Sequence, residues 1–334
     1  MKNRIIYIDR LKGFTILIVV IAHFYTFAFH GINSLYFKFF QSFEMYLFMW
    51  LSGYVAYISP LNVVHKKGIY IKLLKRSIMY FCSAFVLSWI VEGIWRVSQW
   101  NFDEMFNSFW GGYWYLKSLA IYSLLQILMQ KCNKVFFEFS ICIIAYILFG
   151  FGWKLCPSLN YIFSFEYEVC FFPFFVLGYY SKRYTIPAKI LEHNFIFTFS
   201  IIFYWILFFV TDWPSNFLFN IAGRFLMPLC FIICCLYLFM KRESSSSMLE
   251  RWFEEIGKKT LDIYLYHMIL MSTLGIYRFD SFWSWATSTG NQFFCLLLII
   301  PLAVVVIYLS LAIGYVVRQS DCLRNLIYAD FLKR

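Results

Sequence analysis

Apolar runs of about 20 residues recur along the whole chain, separated by short segments that carry most of the charge. That length is what an α-helix needs to cross the hydrocarbon core of a bilayer. The pattern predicts ten spans, over 11–29, 43–59, 77–98, 112–130, 136–153, 167–181, 194–211, 217–240, 260–277 and 292–317. The sixth is short, which suits a small tilt or a partly re-entrant path. Period-two alternation, the mark of a membrane β-barrel strand, is missing from these runs. The expected fold is all-α: a polytopic integral membrane helical bundle of about ten transmembrane helices, forming one domain over 1–334.

Composition sharpens this picture. Hydrophobic residues make up 62% of the 334 and charged residues 14%, against about 25% charged in soluble domains. If the N-terminus lies inside, 23 of the 29 Lys and Arg fall on the inner side. The outer loops keep Lys38, Lys154 and Arg278, and the spans hold Arg96, Lys117 and Arg224. A bias of that kind orients membrane proteins, so both termini are expected in the cytoplasm and the chain in the inner (plasma) membrane. The net charge of +11 then belongs to cytoplasmic loops, and nucleic acid is not an expected partner. Trp95, Trp100, Trp110, Trp114, Trp153, Trp213, Trp283 and Trp285 fall at the predicted outer interface, where amphipathic rings collect. The ten cysteines form no CxxC pair and read as small apolar residues, with no metal or disulfide framework implied. Ser244–Ser247 mark a flexible inner loop, and MLERWFEEIGKK after it reads as an amphipathic helix on the cytoplasmic face.

The first span carries the most informative chemistry. Its mouth reads YIDRLKGFTILIVVIAHF over 7–24. At about 100° per residue, Asp9, Lys12 and His23 share one helix face, and Lys12 and His23 stand about 16 Å apart along the axis. A cation at the inner mouth and an imidazole deep in the span suit a ligand with an anionic head and a long thin arm. Acyl-coenzyme A has that shape. Histidine is also the usual group for removing a hydroxyl proton near neutral pH. His23 is therefore the expected catalytic residue, with the phosphates of the donor near Arg10, Lys12, Lys72, Lys75 and Arg76 and with Asp9 orienting Lys12 as an i, i+3 neighbour. Lys12 and Arg10 as plain interfacial anchors, and His23 as an interhelical hydrogen-bonder, are the bland alternatives.

Other ionisable groups within spans are functional candidates by default. Glu44 is either a second acid or a loop anchor. Arg224 lies deep enough in the eighth span to line a cavity. Glu92 and Arg96 have the spacing of a helical ion pair, and Lys117 is positioned to snorkel.

The opening helix resembles that of acyltransferase family 3, the integral-membrane O-acyltransferases. That family carries Asp-x-x-(Arg or Lys)-Gly, with the basic residue followed by ten residues and a histidine; Asp9, Lys12, Gly13 and His23 match. Lysine in place of arginine is similar to the fucose 4-O-acetylase-like branch. FMWLSGYVAY (48–57), YWYLKSL (113–119), FFVLGYY (174–180) and IGKKTLDIYLYHMIL (256–270) resemble further family segments in the same order. These bring Trp114 and His267 into the motif set, His267 with hydrogen-bonded packing as its alternative role. The resemblance implies transfer of acetyl from cytoplasmic acetyl-coenzyme A, a donor substrate rather than a permanently bound cofactor, to a sugar hydroxyl of an envelope glycan or lipid-linked sugar. Glu44, Trp114, Arg224 and His267 are the expected acceptor-binding residues. No appended extracytoplasmic domain is expected. The rival class is a transporter or flippase of a lipid-linked sugar, since many spans with buried charges also fit transport.

Overall fold

The computed structural model describes residues 5–28, 35–57, 66–95, 113–132, 134–211, 217–244, 247–273, 284–285 and 292–328. These residues are helical almost throughout, with no strand among them. The helices are α1 (Ile6–Ala28), α2 (Leu35–Gln41), α3 (Glu44–Ala56), α4 (Lys66–Trp95), α5 (Trp114–Lys131), α6 (Val135–Leu155), α7 (Pro157–Phe163), α8 (Phe165–Arg183), α9 (Ile186–Leu191), α10 (Asn194–Val210), α11 (Phe217–Lys241), α12 (Met248–Gly257), α13 (Thr260–Thr273), α14 (Gln292–Gln319) and α15 (Asp321–Tyr328). Among the described residues, a helix overlaps each of the ten segments expected to be spans. The third starts well before its expected position, at Lys66. Short α2, α7, α9 and α15 have too few residues to show a hydrophobic period, and pattern alone did not separate them from loops.

Three stretches among the described residues are long and apolar enough to cross a membrane: Val135–Leu155, Gly223–Lys241 and Phe293–Gln319. Large apolar side chains project outward from α6, such as Phe136 at 74% and Leu148 at 60% exposure, and from α10, such as Phe195 at 75%. Contiguous apolar surface of this kind is costly in water and natural in lipid. Pro173, Pro228 and Pro301 lie inside α8, α11 and α14, as membrane helices tolerate. The cysteines divide. Cys142, Cys230, Cys234, Cys235 and Cys295 are buried, whereas Cys82, Cys156 and Cys322 are exposed. Arg96, Trp100, Trp110, Trp213, Arg278 and Trp283, and the side chains of Lys72, Glu92 and Trp95, lie outside the described residues.

The chain divides into two compact units. The first, Met1–Leu51 with Tyr180–Leu311, holds α1 and α2, most of α3, α9–α13 and most of α14. Leu11, Ile16 and Phe24 of α1 are fully buried. A second core joins α10 and α11 through Tyr204, Leu207, Phe208, Met227 and Cys230. Phe43 stacks on Phe231 at 3.6 Å between ring centroids. Lys38 closes this core at one end: Nζ donates to the Thr211 carbonyl at 3.0 Å and lies 5.1 Å over the Phe208 ring.

The second unit, Ser52–Tyr179 with Ala312–Arg334, holds α4–α7, α15, most of α8 and the ends of α3 and α14. Single hydrogen bonds join its helices. Ser52 and Tyr115 hydroxyls meet at 2.7 Å, Ser77 donates to the Ala120 carbonyl at 2.9 Å, and Ser83 ties α4 to α15 through the Ile327 carbonyl. A Cβ on Gly53 would fall 1.9 Å from the Phe175 carbonyl oxygen. Only glycine allows α3 and α8 to approach so closely, which is how small residues work at membrane helix interfaces.

Candidate active site

The site is built on α1, α12 and α13 of the first unit. Ser247 and Glu250 form a capping box at the start of α12, the Ser247 hydroxyl accepting from the Glu250 amide at 3.2 Å. The Glu250 carboxylate also stands 3.8 Å from Arg10 Nη1, and the same nitrogen donates to the Arg242 carbonyl at 2.8 Å. Arg10 is only 4% exposed. Its guanidinium thus fastens α1 to the start of α12, with geometry a compact ammonium would not reproduce.

Two glycines set how closely these helices lie. A Cβ on Gly13 would fall 1.9 Å from the Phe253 carbonyl oxygen, and one on Gly257 would fall 1.7 Å from the Asp9 carbonyl oxygen. The α1 and α12 backbones are therefore in direct contact, and Phe14 packs edge-on against Phe253 beside them. Beside this contact Lys12 Nζ pairs with Asp9 Oδ1 at 3.4 Å and keeps partial exposure, 23% of its side chain. Asp9 thus holds the ammonium at the mouth of α1, as the i, i+3 spacing anticipated.

Ten residues on along each path stands a histidine, about 15 Å along the axis in the unbroken α1. His23 follows Gly13 by ten residues and His267 follows Gly257 by ten. The glycines put the two segments in contact, and the equal spacings bring the imidazoles together, with ring centroids 5.1 Å apart. Each ring is held by its own helix: His23 Nδ1 lies 2.9 Å from the Val19 carbonyl and His267 Nδ1 lies 2.9 Å from the Ile263 carbonyl. A carbonyl only accepts, so in the neutral rings both Nδ1 atoms carry the proton and both Nε2 atoms present a lone pair. His267 is fully enclosed, and its Nε2 has no hydrogen-bond partner among the described residues. Tyr264 packs on His267 at 5.7 Å, and Phe48 of α3 stacks on Tyr264 at 6.4 Å.

A lone-pair nitrogen held at a fixed angle deep in a helix bundle can accept a hydroxyl proton and return it, and a cation at the mouth of the same helix can hold an anionic headgroup. A family model for the acyltransferase domain matches residues 5–314. The chain belongs to acyltransferase family 3. No curated protein and no solved structure matches it. Family and apolar helices together make it a membrane acyltransferase.

The family match takes in both Gly-x9-His segments. Sequence reading carried Gly13 and Gly257 only as motif letters; their mutual contact emerges from the fold. The signal was present all the same, in the repeated ten-residue spacing to a histidine.

The other expected site residues of this family member are placed as follows. Glu44 opens α3 in the first unit, and its Oε2 is buried with no hydrogen-bond partner among the described residues. Arg224 is half-buried near the start of α11. Lys75 and Arg76 are half-buried on α4 of the second unit, whereas the side chain of Lys72 lies outside the described residues. Trp114, at the start of α5 in that unit, stacks on Tyr167 at 4.5 Å and Phe171 at 5.0 Å. Lys117 does not snorkel. It is fully buried, donating to the Ile162 carbonyl at 3.1 Å, because Glu168, also fully buried, lies within its electrostatic reach. Sequence reading gave Glu168 no role; Ser118 donates to it.

Proposed function

We propose that the protein transfers acetyl from cytoplasmic acetyl-coenzyme A to a sugar hydroxyl of a cell-envelope glycan, as a ten-span inner-membrane enzyme with both termini in the cytoplasm. In this reading the protein belongs with the fucose 4-O-acetylase-like branch, on the strength of Lys12. The observation that carries the proposal is the paired geometry of α1 and α13: an ion-paired cation at the mouth and two imidazoles in contact deeper in, all within one unit.

In this reading Lys12 holds the anionic head of the donor and Asp9 orients it, while Arg10 both anchors α12 and adds positive potential. Glu44, Arg224 and His267 of the first unit are assigned to the acceptor. His23 Nε2 takes the proton from the acceptor hydroxyl as its oxygen attacks the thioester carbonyl. The carbon–sulfur bond breaks, and the coenzyme A thiolate takes the proton back from His23. Atoms and charge balance without a metal or redox partner. A ping-pong route through acetyl on His23 uses the same nitrogen.

The test is consumption of acetyl-coenzyme A by purified full-length protein in lipid nanodiscs, followed by free thiol release. It is paired with mass spectrometry of envelope glycans from cells with and without the gene. The proposal requires thiol release together with the loss of one acetyl mass per acceptor in the deletion strain. A carrier of lipid-linked sugars would release no thiol, and that result would sink the acyl-transfer reading. Unchanged glycan masses would refute the acceptor class.

A further inference from the structure

Glu44 occupies a position that the transfer step alone does not explain. α1 and α13 run in the same direction, since Gly257 lies against Asp9 and His267 against His23. α3 runs the other way. It follows α2, whose Phe37 and Phe40 pack on Tyr25, just beyond His23, and its Phe48 ring reaches Tyr264, three residues before His267. Glu44 precedes Phe48 by four residues, so it shares the face of α3 that meets Tyr264. It stands about 6 Å back toward the far end of α1. That places Glu44 on a level with the two imidazoles.

Its Oε2 is shielded from solvent and has no hydrogen-bond partner among the described residues. A buried carboxylate oxygen left in that state is unfavourable and calls for a donor. Building on the acyl-transfer reading, we propose that Glu44 binds the acceptor by taking a hydrogen bond from a hydroxyl adjacent to the one that is acylated. A hydroxyl has one proton to donate. The reacting hydroxyl gives its proton to His23, so the donor to Glu44 is a second hydroxyl of the same sugar. The acceptor class is then a pyranose with a free neighbouring hydroxyl, and Glu44 determines which of its positions is acylated.

The experiment measures acetyl transfer by the full-length protein to a methyl pyranoside and to its counterpart lacking the neighbouring hydroxyl. Wild-type protein should prefer the first by about ten-fold in kcat/KM, the scale of leaving one buried acceptor unsatisfied. Glu44→Leu should raise KM for the full pyranoside by a similar factor and abolish the preference. Acetyl-coenzyme A binding should stay unchanged, measured on the same preparation as a check on folding. Glu44→Gln, which keeps a carbonyl acceptor, should restore most of the preference. A Glu44→Leu protein with the wild-type KM and preference overturns the assignment. If that variant fails to fold, equal use of the two acceptors by wild type overturns it instead. A wild-type protein that releases no thiol with any acceptor removes the acyl-transfer reading and this assignment with it.

Discussion

In the first unit, His23 and His267 each commit Nδ1 to a carbonyl of their own helix, and their rings lie 5.1 Å apart. In the second unit several buried polar side chains reach across to other elements, Ser52 to Tyr115, Ser77 to Ala120, Ser118 to Glu168 and Lys117 to Ile162, while Ser88 and Ser123 bond within their own helix. Both patterns place polar groups in an apolar interior, where burial without a partner is costly. The difference lies in where the bond goes. A bond within one helix orients a ring and leaves its second nitrogen for chemistry, whereas a bond between elements joins them. Cross-element bonds also tie the first unit together, at Arg10 and Lys38, so what sets the two histidines apart is a second ring nitrogen beyond the one that the helix holds.

Substitutions that separate rate from stability test this contrast. The largest effect is expected for His23→Ala, which removes the proton acceptor: transfer should fall by about 10²–10⁴-fold, while thermal stability of the detergent-solubilised protein stays near wild type. A His23→Ala protein with full activity ends the site assignment. Next comes Lys117→Met, which leaves Glu168 buried without its nearby cation. Stability should drop by about 3 kcal/mol, with activity per folded molecule retained. If that variant loses transfer and keeps its stability, the second unit is no mere scaffold. Gly257→Ala pushes a methyl group against the Asp9 carbonyl and should cost about 1–3 kcal/mol; transfer should fall too, because both histidines are placed by that contact. The smallest effect is expected for Tyr115→Phe, which deletes one hydrogen bond between helices. Thermal unfolding should register about 0.6–1 kcal/mol, with no change in KM for acetyl-coenzyme A.

Much of this was legible beforehand, for identifiable reasons. Apolar runs near bilayer length marked the helices, because a lipid-facing segment must satisfy its backbone internally. Charge marked the mouth of α1, and helical rotation placed Asp9, Lys12 and His23 on one face. The amphipathic helix after Ser247 was legible from the mixture of apolar and charged residues in MLERWFEEIGKK. Contacts between distant segments were harder to see. Nothing local in residues 113–119 shows that Lys117 turns inward, since its neighbour Glu168 lies about 50 residues away. Likewise Arg10 reads as one more inner-leaflet cation until Glu250 and the Arg242 carbonyl are seen to hold it.

The contact between Gly13 and the end of α12 also bears on how the protein is made. The first helix leaves the ribosome roughly 240 residues ahead of its partner, an interval of about 10–50 s at ordinary rates of synthesis. Throughout that interval its aspartate, lysine and histidine must be sheltered by lipid, by insertion machinery or by the helices that arrive in between. Until then the nascent chain lacks the second histidine and the contact that places it, and a product truncated before α12 leaves Gly13 without its helix partner.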